Sequence, residues 1–392
     1  MNKLFSLTLT LALFLGSSMS YTTQAQISTE DLNGGVNSVF TSLPFLRINP
    51  DGRSGGMGDI GIATSADPAS IFYNGSKLAF AEEQSGLSIT YTPWLKALVP
   101  DMFIGHISGY TQLSDLEAIG VSFRYFNMGS IQFTNEAGIN LNEFNPHELA
   151  IDLAYSRKLS QQLSAGLTLK YAYSNLAKGQ VTNSGLISAA NAVAADISVY
   201  YQNDVDWTAN GGRFAAGAAI TNIGNKVSYT EDDIRDFIPI NLGIGAAYTM
   251  DIDDYNSLMI GVDLNKLLVP TPDTLFLSGD PNVPDHREKT LFSGIFGSFA
   301  DAPGGAGEEL REVMFSVGAE YWYNKQFALR AGYFFEDRTK GNRQYVTLGV
   351  GLKYSVFGLN FSYLVPTSTS TATNPLENTL RFSLLFNLDD SK

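Results

Sequence analysis

Three kinds of residue in this chain have types and spacings suited to chemistry. The first is RSGGMGDIGIATS, Arg53 to Ser65, which spells G-x-G-x-x-G through Gly56, Gly58 and Gly61, with acids further on at Glu82 and Glu83. A dinucleotide cradle uses that spacing, the glycines for a tight turn under the phosphates and the acid for the ribose. Such a cradle must follow a buried strand and open a helix. Here Pro44 and Pro50 break the run before it, and Pro68 interrupts the run after it. The glycines therefore read as a tight backbone path.

The second kind is histidine. His106, His147 and His286 lie far apart, without metal-ligand spacing. To act as a lipid-modifying hydrolase, His106 would need a serine from a neighbouring strand, and no G-x-S-x-G elbow is present. The third kind is acidic: EDDIRD (Glu231 to Asp236) and DIDD (Asp251 to Asp254) offer oxygens to a hard cation, but neither keeps the pattern of a defined calcium loop. The reading assigns no catalytic residue, no metal site and no cofactor.

The elements that position these residues follow from the whole chain. Lys3 precedes the apolar run LFSLTLTLALFLGSSMS, and Thr23 and Ala25 supply small residues, which predicts a signal peptide over residues 1–25 cleaved before Gln26. Cysteine is absent, which excludes disulfides, thiolate metal sites and a lipidated cysteine. A formal net charge of −14 argues against a nucleic-acid partner. After the leader no run approaches the ~18 apolar residues of a membrane helix. Yet the chain holds 25 Phe and 19 Tyr, and only 16% of its residues are charged, against roughly 25% in soluble domains. That balance calls for a non-aqueous neighbour such as membrane lipid.

From Gly86 onward the hydrophobicity alternates with period two, the mark of strands. In LSAGLTLKYAY, Leu163, Ala165, Leu167, Leu169, Tyr171 and Tyr173 share one face and Ser164, Gly166, Thr168 and Lys170 the other. Fourteen such segments begin near residues 86, 102, 117, 148, 162, 193, 213, 240, 257, 312, 326, 343, 357 and 379. Connections after even-numbered segments are mostly short, and those after odd-numbered ones mostly long. Arg124, Asp152, Lys170, Asp263, Glu320, Arg330 and Arg381 all fall on the polar phase. A soluble sandwich would put charges on its outward phase, whereas a transmembrane barrel puts them inside. The fold expected is all-β: a 14-stranded antiparallel transmembrane β-barrel over residues 86–392, with both ends in the periplasm and long loops outside.

A barrel this wide is not filled by its own side chains. Residues 26–85, rich in Gly, Ser and Asn, are the expected periplasmic and luminal plug. Within it Gly55, Gly56 and Gly58 permit close packing, Asn74 marks a turn, and Arg53 is available to pair with Asp152, Asp263 or Glu320. In the longest loop, Leu291, Phe292, Ile295, Phe296 and Phe299 recur at the spacing of one helix face. That face either folds over the barrel mouth or docks into a partner.

The stretches PDGRSGGMGDIGIATSADPASIFYNGSKLAF, ITYTPWLKALVPD, FRYFNMGSIQFT and SGIFGSFADAPGG resemble the PorV family, outer-membrane components of the type IX secretion system of Bacteroidetes. That family is similar to the FadL-like barrels of hydrophobic-solute transporters. One departure stands out: the family's Asn-Pro-Ala before Lys-Leu-Ala-Phe is Asn74-Gly75-Ser76 here, a flexible turn in place of a rigid one. The resemblance implies a non-enzymatic role. Such proteins bind a very large outer-membrane translocon barrel, collect cargo by its C-terminal signal domain and deliver it to the surface attachment complex. Phe292, Ile295, Phe296 and Phe299 are the expected partner-binding residues. The alternative is a FadL-like outer-membrane transporter of hydrophobic solutes. Either way the expected location is the outer membrane of a Gram-negative bacterium.

Overall fold

A computed structural model describes residues 37–95, 101–134, 140–182, 185–230, 234–273, 283–367 and 379–388. The leader read over residues 1–25 lies outside the described residues, as do Glu231 to Asp233 of the acidic EDDIRD cluster.

Alternation builds the wall. Fourteen antiparallel strands close into one barrel: β1 (Ser85–Pro93), β2 (Phe103–Ser114), β3 (Glu117–Asn127), β4 (His147–Lys158), β5 (Leu163–Asn175), β6 (Ala190–Val205), β7 (Gly212–Gly224), β8 (Asn241–Asp251), β9 (Asn256–Leu267), β10 (Met314–Tyr323), β11 (Phe327–Phe335), β12 (Gln344–Tyr354), β13 (Phe357–Pro366) and β14 (Leu380–Leu388). Each begins within three residues of the start read from the alternation. Each strand pairs with its sequence neighbours, and the pairing of Ser85 with Leu388 and Tyr91 with Phe382 closes the ring. Short turns join the strands at one end, such as residues 324–326 and 355–356, and long loops join them at the other.

The two faces of this wall are inverted relative to a water-soluble protein. Ile89, Tyr91, Ile107, Val121, Leu153, Leu169, Leu348 and Leu384 point outward and are exposed, while Ser88, Thr90, Ser108, Ser122, Asp152 and Glu320 point inward and are buried. Exposed apolar side chains around the wall are stable only where lipid replaces water, and a closed ring leaves no strand edge unpaired in that lipid.

Inside the ring lies an inner segment, residues 37–84, made of single helical turns: α1 (Gly52–Gly55), α2 (Ser70–Tyr73) and 3-10 turns at Pro44–Arg47 and Gly75–Phe80. Its first described residue is at the long-loop end. The Asn37 amide donates to Thr339 O at 2.9 Å, its side chain donates to Pro272 O at 2.7 Å, and the Ser42 amide donates to Phe237 O. The chain then runs the length of the lumen before β1 begins at the short-turn end. The first described polar groups of this segment thus find their partners among the long loops.

Three apolar clusters fix that path. Leu43, Phe45 and Leu46 pack with Ile104, Phe126 and the loop residues Phe237, Ile238 and Leu268. Met57, Ile60 and Ala63 meet Ala247 and Met259, and Ile71 and Leu78 meet Tyr110, Ala118 and Ala154.

Candidate functional site

The GMGDIG stretch makes no strand-turn-helix cradle. Asp51 caps the single turn of α1 by accepting from the Ser54 amide at 2.7 Å, and the chain then reverses at Gly58 (φ 67°) and Asp59 (φ 65°). Only glycine takes the first of these without strain, and a Cβ there would lie 2.7 Å from the backbone of Tyr333. Gly56 lies directly on Gly349 of β12, and Gly55 against Arg381 and Ser362. Asn74 caps the second 3-10 turn and donates from its side chain to Ile62 O and Val199 O, both at 3.0 Å.

Buried charge ties the same segment to the wall. Arg53 donates to both oxygens of Glu320, at 2.7 and 2.9 Å, and to Asp67 at 3.0 Å, while Arg330 donates to Glu320 at 2.6 Å. Of the three inward acids named for Arg53, the structure brings Glu320 to it. Asp263 instead accepts from the Gly61 and Ile62 amides, and Asp152 lies beside Lys170 and Ser122. His106 faces inward, 1% exposed, and neither of its ring nitrogens has a hydrogen-bond partner among the described residues, so no serine-histidine pair forms there. Asp253 accepts from the Tyr255 and Asn256 amides of its own turn, and no group of three metal-ligating side chains occurs among the described residues.

At the long-loop end, the phenylalanine stretch is helix α3 (Leu291–Gly297), capped by Thr290. Its residues do not act as one face. Ile295 is buried at 7% exposure and packs into the mouth cluster with Phe237 and Leu268. Phe292, Phe296 and Phe299 are 65%, 73% and 50% exposed and point away. Gly294 explains the division: a Cβ there would lie 2.7 Å from the Phe237 ring, so glycine lets the helix sit flush on that ring and turn its phenylalanines outward.

A charge cluster without any sequence motif holds the rest of the loop. Glu312 accepts from Lys266 at 2.5 Å, Thr271 at 2.7 Å and Lys340 at 3.0 Å. On helix α4 (Ala306–Arg311), Glu309 accepts from Lys266 at 2.9 Å, and Glu308 accepts from Lys340 at 2.5 Å and from Asn37 at 3.1 Å. Burial works to raise the Glu308 carboxyl, but Lys340 and the Gly304 amide outweigh it and hold it below the ordinary value. Glu336 behaves likewise: burial raises it, and Arg343 and Arg47 bring it down further than burial lifts it. The long loop, the start of the inner segment and the loop after β11 are thereby clamped together.

Cavities lie within the ring beside the inner segment. A cavity of about 110 Å³ lies on the long-loop side, lined by Arg47, Asp59, Tyr73, Asn222 and Arg343 among others. A larger one of about 630 Å³ lies toward the short turns, with Phe80, Tyr110, Tyr200 and Trp322 on its walls and Glu82, Asp204 and Arg213 among its lining residues.

Comparison with known proteins gives a family and a set of shapes. The family profile described as Type IX secretion system protein PorV matches residues 32–274, more than half of the chain. The match ends before α3. No curated protein matches the chain. Among solved structures, the toluene transporter TbuX of Ralstonia pickettii is 12% identical, with 87% of this chain and 98% of that one covered, at a TM-score of 0.49. The toluene transporter TodX of Pseudomonas putida is 12% identical, covering 86% and 96%, at 0.47. A FadL homologue of Pseudomonas aeruginosa is 9% identical, covering 90% and 99%, at 0.43.

Proposed function

This chain belongs to the PorV family of type IX secretion system proteins, and from that premise we propose that it is a protein-binding shuttle of the secretion machinery. It is an outer-membrane barrel. Its partners in this reading are the large translocon barrel, the C-terminal signal domains of cargo and the surface attachment complex, in the outer membrane of a Gram-negative bacterium that exports the chain behind a cleaved leader. The inner segment acts as the plug.

One observation carries the reading. Phe292, Phe296 and Phe299 stand exposed on a helix whose opposite side is anchored by Ile295 and Gly294. Large apolar side chains held out from a rigid base at the water-facing end lose free energy until another surface covers them, and aromatic anchors of this kind dominate protein interfaces. The packed inner segment supports binding over conduction, since any solute crossing the lumen must displace buried ion pairs. The test replaces Phe292, Phe296 and Phe299 by Ser and isolates the barrel in mild detergent. The variant is expected to stay folded while the translocon barrel no longer co-purifies; undiminished co-purification rejects the assignment.

The second reading, a FadL-like transporter of hydrophobic solutes, would use the 630 Å³ space, where Phe80, Tyr110, Tyr200 and Trp322 stand among a larger number of charged and polar residues. It requires uptake of such solutes to depend on this chain. Deletion that stops secretion of cargo and leaves uptake unchanged decides for the shuttle.

A further inference from the structure

Buried polar groups in proteins are nearly always hydrogen-bonded, so a local concentration of side chains without protein partners marks a place where water or a bound ion completes the hydrogen bonds. Seven buried side-chain atoms without a hydrogen-bond partner among the described residues lie on the inner faces of three adjacent strands: Ser88 and Thr92 of β1, both ring nitrogens of His106 and the hydroxyl of Ser108 on β2, and Nε and Nη2 of Arg124 on β3. They are contiguous. Ser88 pairs in register with Ser108, and His106 with Arg124.

Arg124 is the centre of this patch. It is 1% exposed, and its plane is held by the rings of Phe72 and Phe45, at 4.7 and 5.8 Å from the guanidinium carbon. Its Nη1 donates to Phe45 O at 3.1 Å. The two atoms left over, Nε and Nη2, form the side-on fork that grips two oxygens of one anion in parallel. Arg53, Arg330, Arg343 and Arg381 each have a carboxylate within 4 Å, while no such pair forms at Arg124. Of the neighbouring carboxylates, Asp152 accepts from Ser122 at 2.5 Å through one oxygen and lies 3.7 Å from Lys170, and Glu148 is turned to Ser174; the second oxygen of each has no hydrogen-bond partner among the described residues, and neither forms an ion pair with Arg124. A desolvated cation with an open, pre-oriented fork is costly unless an anion meets it.

The geometry points to a luminal oxyanion site in which the Arg124 fork grips two oxygens of a carboxylate or phosphate group and His106 and Ser108 add hydrogen bonds. Occupancy would lock the inner segment to the wall, because Phe45 and Phe72, which sandwich the guanidinium, belong to that segment. This inference is independent of the shuttle reading.

The experiment follows thermal unfolding of the full chain in detergent during titration with sodium acetate, sodium phosphate or sodium chloride at equal ionic strength and pH. The midpoint is expected to rise and saturate with acetate or phosphate and not with chloride, and the stronger of the two identifies the group. Arg124→Gln should abolish the rise. Arg124→Lys, which keeps the charge but loses the fork, should shift half-saturation at least about tenfold, the loss of one charge-assisted bond. If chloride matches both oxyanions in the wild type, the site is overturned, whether or not the variants assemble. An equal rise in Arg124→Gln overturns it too.

Discussion

The inner segment and the long loop between β9 and β10 are both non-strand chain laid against the same barrel, and they are finished differently. In the inner segment Leu43, Phe45, Met57, Ile60, Ile71 and Leu78 are all buried, and Arg53 is paired with Glu320 of the wall. In the long loop Ile295 and the Glu308-Glu309-Glu312 cluster are tied down, but Phe292, Phe296 and Phe299 are not. Among the described residues the first segment exposes a single large apolar side chain, Phe40, whereas the second exposes Phe292, Phe296, Phe299 and Leu310. Under the proposed reading, the difference separates chain that remains in place from chain that meets a partner.

The largest effect should come from breaking the inner tie. Arg53→Met takes the bidentate partner from Glu320 in a desolvated site and leaves it Arg330 alone, which costs about 3 kcal/mol, the low end for breaking a buried pair. The measurement is proteolysis of the inner segment in the purified barrel, with protection expected to fall. The loss in the double variant with Glu320→Gln should be smaller than the sum of the two single losses, and strict additivity would show that the pair is not coupled.

A smaller effect is expected at the mouth. Glu312→Gln deprives Lys266 and Lys340 of a shared carboxylate, a loss of about 1–3 kcal/mol. Cleavage within residues 298–313 should rise while heat-modifiable migration of the barrel is unchanged. Simultaneous loss of both would mean that the loop and the barrel unfold as one unit.

Acid should act at the same place. Glu308 and Glu336 sit below their ordinary value of 4.5, so the stability they contribute is complete above that pH and is lost as pH falls through the lower folded-state values. Loop cleavage is therefore expected to stay flat from neutral pH down to 4.5 and to rise only below it. A rise between pH 7 and 5 would place the responsible group elsewhere.

The smallest effect on stability, within about 0.5 kcal/mol, should come from Phe292→Ser, Phe296→Ser and Phe299→Ser together, because exposed side chains removed from a helix surface leave no cavity. The same variant has the largest expected effect on partner capture. A destabilised barrel with normal capture would invert the contrast drawn between the two segments.

Much of the wall was legible in the sequence because a strand's alternation is local: Leu167 and Leu169 face one way and Thr168 and Lys170 the other whatever the rest of the chain does. The mouth cluster was not legible. Lys266, Glu312 and Lys340 make no motif, and they meet only because β9, the long loop and the loop after β11 end at one rim. The phenylalanine helix was legible in half: spacing put Leu291, Phe292, Ile295, Phe296 and Phe299 together, but Gly294 against Phe237 decided which of them faced out.

By itself, then, the sequence determined the number of strands in the barrel and which phase faces lipid, and it made Asp152, Asp263 and Glu320 available partners for Arg53, since these follow from the two-residue pleat. Tertiary structure alone decided that the acid is Glu320 rather than Asp152 or Asp263, that the inner segment enters from the long-loop end, and that Arg124 keeps an open fork. Those outcomes depend on where a closed ring brings residues separated by up to hundreds of positions, and nothing local in a sequence encodes that distance.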